Sequence, residues 1–123
     1  MADDQTRSAA SVDRHSPAWK ARHRESTLRA VDRVLAERAE QDGKWGEQNH
    51  DDEWWLAILT EEVGELAQAI LHKRFGGSKG AHLDEELVQV AAVALAWIEC
   101  RQRRWYEQTD NGPFAVSPGE LGA

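Results

Sequence analysis

The chain has 123 residues, a length that fits one domain, and 22 Asp and Glu against 15 Lys and Arg give it a formal net charge of −7. Nucleic-acid backbones are gripped by basic stripes, so this balance argues against a nucleic-acid partner. It suits a protein that gathers carboxylates around a cation, although plain solubility would produce the same sign. A single cysteine, Cys100, leaves no internal disulfide and points to a reducing compartment. No apolar run is long enough to span a bilayer, and the polar opening MADDQTRSAASVDRH lacks the apolar stretch of a secretory signal. The expected location is the cytoplasm, with no membrane partner.

Residues 1–15 lack periodicity and read as a flexible lead, residues 16–108 as a helical domain, and residues 109–123 (TDNGPFAVSPGELGA), with two of the three prolines, as an irregular tail. Ser16-Pro17 resembles a cap followed by proline at the first helical position, with Ser26 or Thr27 as alternative starts. Leu28, Val31, Val34 or Leu35, and Ala39 form one apolar stripe. Gly43 and Gly46 are expected to break this helix, and in the loop QDGKWGEQNHD either Asp51 or Asp52 can cap the next one.

The second helix is predicted from about residue 53 to 74. Leu56, Leu59, Val63, Leu66 and Ile70 recur at steps of three and four, a packing seam. Lys73 and Arg74 suit its C-terminal dipole, and Gly76-Gly77 end it. The third helix is predicted from about residue 81 to 106. Between Leu87 and Ile98 (LVQVAAVALAWI) it carries no charge, and a helix that is apolar all round is buried all round. Two other helices in so small a chain can hardly cover it. The expected fold is therefore all-α, a helical bundle of three to four helices per chain completed by oligomerisation as a dimer or dimer of dimers; termini folding back over the helix are the alternative.

The acidic residues are placed unusually. At about 100° per residue, Glu62 and Glu65 share a face with Trp55, Ile58 and Ala69, next to the leucine seam, whereas Glu61 lies further out. On the third helix Glu86 lines up with Val90, Val93 and Trp97, and Gln89 with Val93, Ala96 and Cys100, while Glu85 and Glu99 take the more polar side. An isolated ionised carboxylate on a buried face costs several kcal/mol or becomes protonated. Carboxylates from two facing helices can instead share a divalent cation, and Mg²⁺ takes one or two of them together with waters and phosphate oxygens. Solvated helix-surface glutamates are the bland alternative, strongest for Glu61.

Three segments in order, KWGEQNH, EEVGELAQAI and EELVQVAAVALAWIE, resemble the MazG-like family of all-α nucleoside triphosphate pyrophosphohydrolases over about residues 44–100. Members carry an ExxE motif on one helix and ExxD on the next. Here the first is Glu62-Val63-Gly64-Glu65; the second begins at Glu86 but ends in Gln89, a neutral amide where the family has a carboxylate. The resemblance implies Mg²⁺, with Mn²⁺ as a substitute, held by Glu62, Glu65, Glu86 and Gln89. It also implies hydrolysis of a (d)NTP to (d)NMP and pyrophosphate. Glu61 or Glu62 would orient or deprotonate the attacking water. Gln89 lowers metal affinity or loses one of two ions, unless Glu61 or Glu85 compensates.

In the same loop Lys44 is the candidate for phosphate, Trp45 either stacks on a base or anchors the loop, and Gln48 or Asn49 would bond the base edge. Lys73, Arg74, Lys79, Arg101 and Arg104 are weaker phosphate candidates. Trp54, Trp55, Trp97, Trp105 and Cys100 are expected in packing roles. His50, His72 and His82 are expected as surface groups, and Gly64 as a point of close approach. The competing reading, which Gln89 favours, is a non-catalytic helical module that binds nucleotide or metal or serves in oligomeric interaction.

Overall fold

In the computed structural model, which describes residues 13–108, the Ser16 hydroxyl accepts the Trp19 N–H at 3.1 Å. Helix α1 (Pro17–Trp45) therefore starts at Pro17, and Ser26 and Thr27 lie inside it. Gly43 does not break α1; the helix ends where Gly46 takes a φ of 66°. Asp51, rather than Asp52, caps α2 (Asp52–Phe75), its carboxylate accepting the Trp54 N–H at 2.8 Å. Acidic Asp52 and Glu53 in the first turn and His72, Lys73 and Arg74 in the last agree with the helix dipole. Gly76 and Gly77, at φ 95° and 142°, turn the chain out of α2. A 3-10 turn, Gly80–His82, then leads into α3 (Leu83–Gln108). The described residues are all-α and contain no strand.

The expected lead up to residue 12 and the tail 109–123 lie outside the described residues. The chain divides into two compact units at residues 33 and 34. The first contributes the opening of α1, where Trp19 stacks on His23 with ring centroids 4.7 Å apart and Arg29 pairs with Glu25 at 2.9 Å. Everything described below belongs to the second unit.

That unit is organised by α2 against α3. Trp55, Val93, Ala96 and Cys100 form the buried cluster, with Ile58, Leu59 and Trp97 packed on it. Ala69 and Ala92 are also buried. The side chains α3 offers to this contact are mostly small, which lets the large Trp55 indole sit between the two helices. Gly80 permits a second close approach, since a Cβ there would lie 2.6 Å from the Lys73 backbone nitrogen. Gly64 plays no such part: a Cβ on it would meet nothing within 4 Å.

The packed face of α2 is not the expected leucine seam. It is the adjacent face bearing Trp55, Ile58 and Ala69; of the seam, Leu59 packs on the cluster and Leu66 is half-buried, while Leu56, Val63 and Ile70 stay 55%, 46% and 49% exposed. Trp55 decides this, because an indole buries more apolar area than any leucine of the seam. The charge-free stretch of α3 is likewise covered on one side only, with Leu87 and Ile98 exposed. No residue of α1 is buried.

Trp55→Ala should cost about 3–5 kcal/mol of unfolding free energy, because the side chain is 2% exposed. Trp54→Ala, at a position 59% exposed, should stay within about 0.5 kcal/mol. Urea unfolding of the two variants would show equal effects if the helices met along a different face.

Candidate metal centre

Because Trp55 fixes which side of α2 faces α3, the residues about two and three turns further along that side face α3 as well. Those are Glu62 and Glu65, and Glu86 comes to meet them from the first turn of α3. Each of the three offers a carboxylate oxygen, and these oxygens lie within 4.8 Å of one another. All three side chains are half-buried. Oε2 of Glu62 and Oε2 of Glu86 are buried without a hydrogen-bond partner. Buried acceptors are almost always satisfied, so two orphans in one acidic cluster mark a place that needs a proton or a cation.

The electrostatics say the same. Burial, then the charges of Glu65 and Glu86, hold the Glu62 carboxyl above its ordinary range. Burial, then the neighbouring Glu65, does the same to Glu86, with His82 and Lys79 opposing only in part. A hard divalent cation resolves both the missing partners and the mutual repulsion, and the all-oxygen donor set fits Mg²⁺ or Mn²⁺.

Beside the cluster lies a cavity of about 600 Å³. It is bounded by the C-terminal turns of α1, the loop after it, and the facing sides of α2 and α3. The Cα atoms of residues 34–45 stay more than 8 Å from those of α2 and α3, and this gap leaves the volume. Long side chains bridge it. Arg38, only 12% exposed, directs Nε and Nη2 to Oε2 of Glu99 and Nη1 to Gln41 at 3.2 Å, and pairs with Asp42 at 3.1 Å. Arg103 holds the loop: it donates to the Gln48 carbonyl at 2.9 Å and to Asn49 Oδ1 at 3.0 Å, and pairs with Glu47 at 2.9 Å. Arg104 and the Cys100 thiol both donate to the His50 carbonyl.

Of the residues singled out in the sequence, Glu62, Glu65 and Glu86 converge, and Glu62, Gln89, Lys44, Trp45 and Gln48 line the cavity together. Glu61 is exposed and stays outside the trio, though its charge adds to the pressure on Glu62. Asn49 does not line the cavity; it is exposed and engaged by Arg103 and Glu47. Trp45 is 62% exposed, so it is no core anchor, and its ring lies 5.8 Å from Lys44 Nζ. Arg101 pairs with Asp52 at 2.5 Å and Lys79 donates to Gln68 at 2.8 Å, both away from the cavity. Of the tryptophans, Trp55 is core and Trp97 donates to Asp52 at 2.8 Å, whereas Trp54 and Trp105 are exposed. Cys100 is fully buried.

Sequence reasoning missed Arg38, Glu99 and Arg103. A signal existed for one pair: Glu99 is the first charge after the apolar run of α3, and a charge there needs a cation from another element. No family model, no curated protein and no solved structure matches this chain.

The two raised carboxyls make the chain's stability depend on pH. Their folded-state pKa values exceed the unfolded ones, so the stability they contribute is full below the ordinary carboxylate range and is lost as pH rises through the raised values. Asp52, held low by the Trp97 and Arg101 hydrogen bonds, acts oppositely, but its contribution is lost only in more acidic solution. With chelator present, lowering the pH from about 7.5 to about 5.5 should therefore raise the melting temperature, and a Glu62→Gln/Glu86→Gln variant should show a flatter slope. At neutral pH, Mg²⁺ should raise the melting temperature of the wild type and leave the variant unmoved. Equal slopes and equal Mg²⁺ responses would contradict a shared acidic centre.

Proposed function

We propose that this chain is a Mg²⁺-dependent nucleoside triphosphate pyrophosphohydrolase of the MazG-like type, acting in the cytoplasm on (d)NTPs to give (d)NMP and pyrophosphate. The single observation that carries the reading is the meeting of Glu62, Glu65 and Glu86 beside a cavity large enough for a nucleotide. The motif order in the sequence supplies the reaction.

Glu65 and Glu86, with Glu62, are the residues that would hold the cation. When bound, a divalent cation neutralises phosphate oxygens and makes water a better nucleophile. Glu62 alone belongs to both the acidic trio and the cavity wall, so it is the base of this proposal rather than the exposed Glu61. Its raised proton affinity suits it to take the proton as the water oxygen attacks the α-phosphorus. The bond from that phosphorus to the bridging oxygen breaks, and pyrophosphate leaves with the electron pair. Trp45 and Gln48, which line the cavity, are the candidates to meet the nucleoside, and Lys44, the phosphate candidate of the sequence, lines it six residues beyond Arg38.

Self-association as a dimer or dimer of dimers belongs to the same proposal. The exposed seam of Leu56, Val63 and Ile70 recurs every seven residues, the spacing of a helix-to-helix contact. Sedimentation would reveal a lone protomer if this part is wrong.

A second reading, a non-catalytic nucleotide- or metal-binding module, is favoured by one observation: Gln89 lines the cavity beside Glu62 where the resembled family has a carboxylate. A dNTP panel with Mg²⁺ or Mn²⁺ separates the two. Pyrophosphate release that Glu65→Ala abolishes upholds the enzyme; nucleotide binding without turnover upholds the module. Loss of an outer-shell partner alone costs about 10–100-fold in such sites, so loss of the ligand itself should cost at least that. Gln89→Asp should tighten Mg²⁺ binding about tenfold, as one added charge near the cation would. Unchanged or weaker binding would mean that Gln89 does not face the cation.

A further inference from the structure

The cavity follows one side of α3. Gln89, Val93, Ala96, Glu99 and Arg103 line it, at steps of four, three, three and four residues. Gln89 shares its acidic end with Glu62, and Glu99 stands ten residues further on, about 15 Å along the helix axis. Trp55, Ile58, Val93 and Ala96 wall the stretch between with apolar surface. A nucleotide whose phosphates lie at the Glu62 end spans that stretch with sugar and base, and its base edge arrives at Arg38 and Glu99.

What meets it there is an acceptor. The Arg38 guanidinium is almost buried, and its Nε, Nη1 and Nη2 are committed to Glu99, Gln41 and Asp42. This pins the Glu99 carboxylate through Oε2 and engages four of the five Arg38 N–H groups, both on Nη2 included. Oε1 of Glu99 has no partner among the described residues. An ionised carboxylate only accepts hydrogen bonds, so it favours a base edge that donates and opposes one that presents a carbonyl.

We propose that Glu99, fixed in place by Arg38, is a specificity-determining residue that selects nucleotides whose base carries an exocyclic amine over those with a carbonyl at that position. The proposal rests on the nucleotide reading given above. Cytosine and uracil are the sharpest comparison, since a carboxylate pairs with the cytosine amine and repels the uracil oxygen.

The test is calorimetric binding of dCMP and dUMP to the full chain with Mg²⁺, alongside pyrophosphate release from dCTP and dUTP. The wild type should bind dCMP about tenfold more tightly than dUMP. Glu99→Gln, which offers both an oxygen and an amide N–H, should bring the two within about twofold at unchanged helical content. A mere tie between α1 and α3 would weaken both nucleotides alike and keep their ratio, which would overturn the proposal. Should that variant not fold, dAMP against dIMP in the wild type repeats the amine-for-carbonyl comparison, and equal binding in both pairs overturns the proposal. Turnover of dCTP and dUTP with equal monophosphate affinities would leave the pyrophosphohydrolase standing and sink only the selectivity. A dCMP preference that Glu99→Gln erases, without pyrophosphate release from any triphosphate, would do the reverse. No nucleotide binding at all would sink both.

Discussion

The Trp55 indole wedged against Val93, Ala96 and Cys100 sets the rotation of α2 about its own axis. Helical geometry then leaves little freedom. With Trp55 turned inward, Ile58, Glu62, Glu65 and Ala69 follow at steps of three and four on the same side. Two carboxylates are thus carried into the contact by a residue that makes no bond to them. Small residues on α3 let the approach be close, and Gly80 keeps the start of α3 against the last turn of α2, so that Glu86 arrives on the same side. Packing and chemistry are two results of one angular choice.

That choice has an electrostatic cost that packing alone must carry. Glu62 and Glu86 each keep a buried oxygen without a donor, and each is surrounded by further negative charge. Across the cavity the opposite solution appears: Arg38 brings its own positive charge and satisfies Glu99 and Asp42 within the chain. One acidic group is closed by an internal cation and the other is left open. At one end of the cavity the carboxylates have no counter-charge of their own, and at the other Glu99 is anchored through Oε2 alone.

Much of this was legible in the residues, and the rest was not for identifiable reasons. The all-α class, the three helices and the shared face of Glu62 and Glu65 follow from periodicity, which is local, and capping chemistry narrowed the start of α2 to Asp51 or Asp52. The start of α1 was ambiguous because Ser16, Ser26 and Thr27 are all chemically able to cap. Gly43 misled because glycine weakens a helix by only about 1 kcal/mol, too little to end one on its own. The leucine seam attracted attention by its regularity, yet a single tryptophan outweighed it, and periodicity cannot rank two neighbouring faces. Arg38 with Glu99 and Arg103 with the 47–49 loop link positions more than fifty residues apart, and no spacing rule reaches across that distance.

The loop from Gly46 to His50 illustrates how dependent an irregular segment is on a regular one. The Gln48 and His50 carbonyls and the Asn49 side chain all take donors from Cys100, Arg103 and Arg104 on α3. Fraying the helix beyond Ala96 would strip the loop of these anchors at one stroke. The wall that Trp45, Gly46, Glu47 and Gln48 give the cavity is thereby only as rigid as the final turns of the last helix. An event that tightens or loosens that helix end would be felt as a change in the shape of the cavity mouth.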